Sequence, residues 1–251
     1  MSLEPLPRPL SSGNAGGWRR ALRPVMEGPG QCEVCRVWTR GALCAHCIER
    51  HAALRPRCRR CALPLPQAGV CGRCLHAPPP FEHTVCVGDY AFPWDRLVAA
   101  YKFEGRVELA NPLAARMVAA VAEVNAPRPD GVVPVPLAEE RLRQRGYNQA
   151  WELARRVAAA LRVPTHAGLL LRLFGGAHQA ELSRAGRLVA LRGAFTVPPS
   201  ERAKLAGRRI ALVDDVMTTG ATVSEAAAAL LRAGAGAVDV WVVARTPDRR
   251  D

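Results

Sequence analysis

The stretch RRIALVDDVMTTGATVSEAAAALLRAGA, Arg208 to Ala235, decides how the rest of the chain is read. Its apolar run Ile210–Val213 reads as a buried strand and ends on two adjacent carboxylates, Asp214 and Asp215. From Thr222 to Ala233 the Ala/Leu-rich pattern is helical. Between them lie Thr218, Thr219, Gly220, Ala221 and Thr222. A loop joining a buried strand to a helix N-terminus presents successive N–H groups without intrahelical partners, and with the helix dipole these hold an anion. Gly220 permits a backbone conformation or an approach that a side chain would block, and the threonines add hydroxyl donors. Thr222 and Glu225 also have capping-box spacing. The loop has no lysine, so it is not a Walker A motif. The carboxylates do not serve a phosphate; they accept hydrogen bonds from vicinal hydroxyls, or hold Mg²⁺ by way of water. A ribose with a phosphate at one end and free hydroxyls at the other satisfies both halves.

Working outward, strand-like and helix-like segments alternate after "LHAPPPFEH", near residues 75–83. Strands are expected at Val85–Tyr90, in "DGVVPVPL" (130–137), at Ala167–Leu171, Ile210–Val213 and Val238–Ala244. Helices are expected at Trp94–Phe103, Pro112–Val124, Asn148–Leu161, Ser183–Leu191 and Thr222–Ala233. The alternation predicts an α/β fold, a parallel sheet flanked by helices. Ligands of such sheets sit at the carboxyl ends of the strands, where both "VPVPL" and "DDVMTTGAT" fall.

The front of the chain is different. Eight of its nine cysteines form four C-x-x-C pairs: Cys32/Cys35, Cys44/Cys47, Cys58/Cys61 and Cys71/Cys74. Each pair supplies two corners of a tetrahedron, and two pairs complete a four-thiolate zinc site. Sequential pairing predicts one site from Cys32, Cys35, Cys44 and Cys47 and another from Cys58, Cys61, Cys71 and Cys74; crossed or nested pairing is also open. Both sites are closed and therefore structural. Cys86, in the apolar "HTVCVGDY", reads as a small buried hydrophobe. Trp38 stacks on a base or covers a knuckle, the covering role being favoured.

The formal net charge is +13. Residues 1–80 hold 12 Arg against 4 Asp/Glu, a balance of +8, and the remaining residues hold 23 Lys/Arg against 18 Asp/Glu, +5. The basic excess is concentrated around the cysteines, where a polyanion such as single-stranded DNA is attracted by phosphate neutralisation; a solvated basic surface is the alternative. No apolar run approaches the roughly 20 residues of a membrane span, and residues 1–30 read as a flexible Pro/Gly-rich leader without a signal-peptide core. A cytoplasmic location is expected, in which clustered cysteines favour metal over disulfides. The organisation read from the sequence is leader 1–30, double zinc ribbon 31–76 and α/β domain 83–247.

"IALVDDVMTTGAT" resembles the phosphoribosyl-diphosphate (PRPP) signature of type I phosphoribosyltransferases along its whole length. With the cysteine front, "YKFEGR", "PVPLAEERLRQRGYNQAWELA" and "HQAELSRAGR", the chain resembles the ComF/GntX-type family, bacterial proteins tied to competence and DNA uptake, over nearly all of residues 32–245. The resemblance implies that Asp214 and Asp215 take the ribose hydroxyls in a catalytic site using PRPP with Mg²⁺. It implies that Thr218, Thr219, Gly220, Ala221 and Thr222 take the 5-phosphate. Val135 and Pro136 would form the diphosphate loop, with Arg141, Arg145 and Lys102 as its cations; guanidinium forks bind phosphate bidentately. Arg172, Gln179 and Arg184 would belong to a segment that closes over the substrate. Ala190 stands where the family pattern has Asn. The implied function is pentosyl transfer linked to DNA uptake. The alternative is a non-catalytic single-stranded-DNA-binding protein, or an adaptor for a competence helicase, with a regulatory PRPP site.

Overall fold

A computed structural model describes residues 28–173 and 193–248. Four strands form the central sheet: β3 (Thr84–Asp89), β4 (Gly131–Pro134), β7 (Arg209–Met217) and β8 (Ala237–Arg245). Their order is β3-β8-β7-β4, and every neighbouring pair is parallel. Val-rich strands buried on both faces belong in such a sheet, and all nine residues of β8 are buried. The expected parallel sheet flanked by helices is borne out.

One face is covered by α3 (Trp94–Phe103), α4 (Ala110–Glu123) and α6 (Gln149–Leu161), whose apolar sides meet Val85, Val87, Val213 and Trp241. Asn148 starts α6: its Oδ1 accepts from the amides of Ala150 (2.9 Å) and Trp151 (3.3 Å). A short helix, α5 (Glu139–Arg145), was not expected; Gly146, at φ +78°, ends it.

The other face packs against α7 (Ala221–Arg232), the two-residue strand β6 (Phe195–Thr196) and part of the cysteine-rich front. Cys58, Cys61 and Cys74 lie in one apolar cluster with Phe81, Cys86, Leu212 and Met217. Cys32, Cys44 and Cys47 form a separate small cluster with Val34 and Leu43. That first knuckle carries a hairpin, β1 (Pro29–Gln31) with β2 (Trp38–Arg40), and helix α1 (Ala45–Ala52). A bidentate Arg106–Glu33 pair (2.9 and 2.7 Å) ties it to the turn after α3. The second knuckle, with helix α2 (Gly72–His76), leans on the amino end of β3, where the Thr84 amide donates to Arg59 O at 2.9 Å.

Several expectations are corrected. The strand expected at Ala167–Leu171 is a turn followed by β5 (Leu171–Arg172), which pairs antiparallel with β6, outside the main sheet. β7 does not stop at Val213; it continues through both aspartates because β8 supplies partners up to Met217↔Arg245. Gly220, not a threonine, caps α7, and Glu225 accepts from the Gly193 amide at 3.4 Å, so the Thr222/Glu225 capping box does not form. Trp38 is 74% exposed, so the favoured covering role is not met among the described residues. The helix expected at Ser183–Leu191 lies outside the described residues. Cys86 is buried as expected, its thiol donating to Gly88 O and pushed up to about 11 by burial.

Candidate functional site

β4 and β7 end side by side, with Pro134 in register with Val213. Val135 continues the line by donating its amide to Val213 O at 2.9 Å, and Asn148 Nδ2 donates to Val135 O at 3.2 Å. "VPVPL" and the acidic pair are thereby brought together at one edge of the sheet, as the sequence predicts.

Neighbouring strand residues face opposite sides. Asp215 is 2% exposed and turns toward α3, where Lys102 Nζ lies 2.9 Å from its Oδ1. The Val216 amide also donates to Oδ1, at 2.6 Å, while Oδ2 is buried with no hydrogen-bond partner among the described residues. Asp214 accepts from the Asp215 amide at 2.9 Å. Burial, then the neighbouring Asp215 charge, push the Asp214 carboxyl up to about 8, against the opposing pull of Lys102. Two carboxyl groups on successive residues, one ion-paired and one whose ionisation is opposed by burial and by its neighbour, make an edge where an arriving cation or hydroxyl donor favours the ionised form.

Beyond Met217 the chain turns outward. Thr218 and Thr219 are exposed, and among the described residues no protein acceptor meets the amides of Thr218, Thr219 or Gly220. Gly220 is at φ +84°, and a Cβ there would lie 2.7 Å from Met217 Cε. The positive φ is what calls for glycine here, since the flexible end of Met217 could move aside for a Cβ. Thr218, Thr219, Gly220, Ala221 and Thr222 line a groove of about 1080 Å³ whose opposite wall is the second cysteine knuckle, including Cys61, Arg73 and Cys74.

A second cleft, of about 500 Å³, is lined by Lys102, Phe103, Gly105, Arg141, Gln144, Arg145 and Tyr147. Arg141 lines both spaces. Arg145 stacks over Phe103 at 4.9 Å, and its Nη1 is buried without a partner among the described residues. Such orphaned atoms cost about 1–3 kcal/mol each and mark places built for something else. Lys102 stands between this cleft and the acidic pair. Arg172, on β5, lies over the Phe195 ring at 5.6 Å; burial, and Arg141 nearby, lower its pKa, and the Asp214 charge opposes them. Gln179 and Arg184 lie outside the described residues.

Sequence reasoning missed Arg245. It ends a strand of apolar residues, where a charge reads as a surface residue, yet it is 2% exposed and lines the groove behind the loop.

The cysteines assemble as sequential pairing predicts. Cys32, Cys35, Cys44 and Cys47 bring their sulfurs within 4.8 Å of one another, and so do Cys58, Cys61, Cys71 and Cys74. The Cys35–Cys44 and Cys61–Cys71 sulfur separations are both 3.6 Å. That is far beyond a disulfide and close to the edge, about 3.8 Å, of a tetrahedron with Zn–S bonds near 2.3 Å. Backbone amides point at the sulfurs: Cys44 N at Cys32 Sγ (3.4 Å) and Cys71 N at Cys58 Sγ (3.3 Å). Burial raises the Cys32 thiol, but the amides of Cys35, Cys44 and Val34 outweigh it and bring it down to about 6. The donor sets fit zinc. A further cluster, Glu82, His83 and Asp239, sits at the other end of the strands and already holds a cation, the Arg209 guanidinium.

No protein-family model matches the chain. DNA utilization protein YhgH of Salmonella typhi is 36% identical over 229 residues, covering 87% of this chain and 98% of that protein. Competence protein F of Haemophilus influenzae is 32% identical over 211 residues, covering 82% of this chain and 91% of that protein. Similar solved structures include glutamine phosphoribosylpyrophosphate amidotransferase from B. subtilis (25% identity, 53% of this chain and 26% of that one, TM-score 0.36). Another is purine phosphoribosyltransferase from Pyrococcus horikoshii (19% identity, 53% and 83%, TM-score 0.34). With identity above 30% across more than four-fifths of both partners, the chain belongs to the ComF-type family that includes DNA utilization protein YhgH and competence protein F.

Proposed function

We propose that the protein binds PRPP with Mg²⁺ at the carboxyl edge of its sheet, in a phosphoribosyltransferase-type site that serves DNA uptake. The observation that carries this reading is the acidic pair at the end of β7 running directly into a loop of outward-facing amides. Asp214 and Asp215 accept the ribose hydroxyls. The amides and hydroxyls of Thr218, Thr219, Gly220, Ala221 and Thr222 donate to the 5-phosphate. Val135 and Pro136 border the diphosphate, and Arg141 and Arg145 supply its guanidinium forks. Lys102 pairs with Asp215 and lies beside the same cleft; Arg172 is within electrostatic reach of Asp214. The unpartnered Asp215 Oδ2 suits Mg²⁺. Mg²⁺, when bound, neutralises oxygens of the diphosphate and so favours its departure. The names of the relatives supply the DNA context.

Calorimetric titration tests the reading. Mg²⁺–PRPP should bind in roughly the 1 µM–1 mM range usual for enzyme substrates, and inorganic phosphate should compete. No heat of binding at millimolar PRPP removes the proposal. Diphosphate release from PRPP in the presence of a metabolite pool then tests catalysis.

Two zinc ions complete the proposed site chemistry, one on each cysteine quartet, both structural. Metal analysis should return two equivalents per chain. Cys35→Ser and Cys71→Ser should each return one; an unchanged count in either variant assigns that cysteine elsewhere.

One observation favours a second, compatible reading. Trp38 stands free on the first knuckle with Arg36 and Arg40 on either side, all exposed. Aromatic platforms flanked by arginine bind single strands by stacking and phosphate neutralisation. Trp38→Ala should weaken single-stranded DNA binding by about 1–3 kcal/mol, and log K should fall with log salt. A flat salt dependence excludes this grip.

A further inference from the structure

The groove behind the phosphate loop is closed on its inner side by Arg245, whose surroundings are unusual for a buried charge. No carboxylate pairs with it among the described residues. Instead the guanidinium donates to backbone carbonyls: Nε to Cys61 O at 2.8 Å, and Nη1 to Met217 O (3.1 Å), Thr246 O (2.6 Å) and Thr218 O. A desolvated cation is costly unless each donor finds an acceptor, and the fork of an arginine is suited to collecting several at once.

These acceptors have a consequence for the loop. In a trans peptide the C=O of one residue and the N–H of the next point in opposite directions. Holding the carbonyls of Met217 and Thr218 inward on Arg245 therefore aims the amides of Thr218 and Thr219 outward. These are two of the three loop amides for which no protein acceptor is found among the described residues. The Thr246 amide adds to the anchor by donating to Met217 O at 3.0 Å.

Another of the four acceptors, Cys61 O, belongs to the second quartet. The thiol of Cys61 faces its partner cysteines while its carbonyl faces Arg245. Arg73, next to Cys74, also approaches Asp248 at 3.7 Å, three residues beyond Arg245. Among the described residues the first quartet has no such link to the loop: its knuckle is tied to α3 and the turn after it, through Glu33 and Arg106, through the His51 carbonyl that accepts from Trp94 Nε1 at 2.8 Å, and through Val34, Leu43 and Ile48 on the core there.

We infer that Arg245 is a positioning residue that couples the second cysteine quartet to the phosphate loop, so that metal on Cys58, Cys61, Cys71 and Cys74 sets the aim of the Thr218 and Thr219 amides. This role rests on reading Thr218–Thr222 as a phosphate loop. It predicts that metal acts at a distance on anion binding, and that only one of the two quartets does so.

Hydrogen–deuterium exchange of the peptide spanning Val213–Ser224, in full-length protein with two zinc ions and after chelation, tests the coupling without any ligand. Chelation should speed exchange there at least tenfold in the unaltered protein and in Cys35→Ser. In Arg245→Met the same peptide should exchange fast while both zinc ions are retained, and chelation should add little. Arg245→Lys, which keeps the charge but loses the fork, should fall between. Because Arg245→Met could unfold, zinc content and circular dichroism accompany each variant, and Cys71→Ser, which spares Arg245, must reproduce the fast exchange. Loop exchange indifferent to zinc in the unaltered protein, or slow in folded Arg245→Met, overturns the inference. Mg²⁺–PRPP affinity should follow the same order, with losses of tenfold or more that do not add in the Cys71→Ser/Arg245→Met double variant. If PRPP does not bind at all while the exchange pattern holds, the ligand assignment fails and the coupling stands.

Discussion

Asp214→Asn is expected to cost at least a hundredfold in Mg²⁺–PRPP affinity and at the same time to raise the melting temperature. The first effect follows from losing charge-assisted hydrogen bonds, each about 1.5–3 kcal/mol, with a tenfold change per 1.4 kcal/mol. The second follows from linkage. Burial and the adjacent Asp215 raise the Asp214 carboxyl from its ordinary value of 3.8 to about 8. Between those two pH values the native chain keeps a proton that the unfolded chain releases, so stability falls as pH rises. The contribution of Asp214 is fully present below about 4 and is lost as pH rises through about 8. An asparagine neither titrates nor carries charge, so the variant should gain on the unaltered protein as pH climbs from about 4 toward 8, and its melting temperature should exceed that of the unaltered protein by more at pH 8.5 than at pH 6. Asp215→Asn should also lose PRPP but melt lower, because it strands Lys102. Thermal melts and titrations of the two variants at pH 6 and pH 8.5 check this. For the unaltered protein, PRPP affinity should rise across that interval and binding should release a proton. Equal melting shifts for both variants refute the split between a carboxyl that resists ionising and one that is paired.

That split was not legible in the sequence, although the pair was. "IALVDDVMTTGAT" displays strand, acids and loop in one line, because an apolar run, two carboxylates and a threonine-glycine turn each have a local signal. Aspartates are disfavoured in strands, so the sequence ends β7 at Val213. The ladder with β8 carries it on to Met217, and only inside a strand do the two acids face opposite sides. The partner of Asp215, Lys102, lies more than a hundred residues away on α3. Arg141 and Arg145 were visible as cations, but the short helix that puts both beside one cleft was not; Leu142 is its one apolar residue, and no residue of it is buried. The cysteine pairs were legible because C-x-x-C spacing is a local signal; their grouping was open between sequential and crossed or nested, and the structure shows the sequential one. How differently the two quartets attach was hidden, since packing of Cys58, Cys61 and Cys74 against Leu212 and Met217 is a property of the fold alone. Arg245 was hidden for the same reason.

The same two strands carry a second buried acid at their other end, and there the expected sign is reversed. Asp239→Ala should destabilise the protein by about 3 kcal/mol, lowering the melting temperature by about 6–12 °C. Asp239 is 1% exposed and takes both its oxygens to Arg209 Nη1, at 3.2 and 3.0 Å, while His83 Nδ1 lies 3.2 Å from Oδ1. Arg209 also reaches Glu82 at 2.8 Å. At the carboxyl edge an acid stands without enough positive charge, which is costly to the fold and useful to a ligand. At the amino edge an acid is saturated by a guanidinium, which leaves nothing for a ligand to complete. Removing Asp239 leaves Arg209 half-buried with one exposed partner, and that stranded cation produces most of the loss. The double variant Asp239→Val/Arg209→Met removes both charges and should recover most of the stability, since well-packed apolar pairs replace buried ion pairs at little net cost. PRPP affinity should be unchanged in both variants at a temperature where each is folded, because the site lies at the far end of the strands. Chemical denaturation of the three proteins measures the coupling. A double variant as unstable as the single one shows that packing, not the stranded charge, sets the cost.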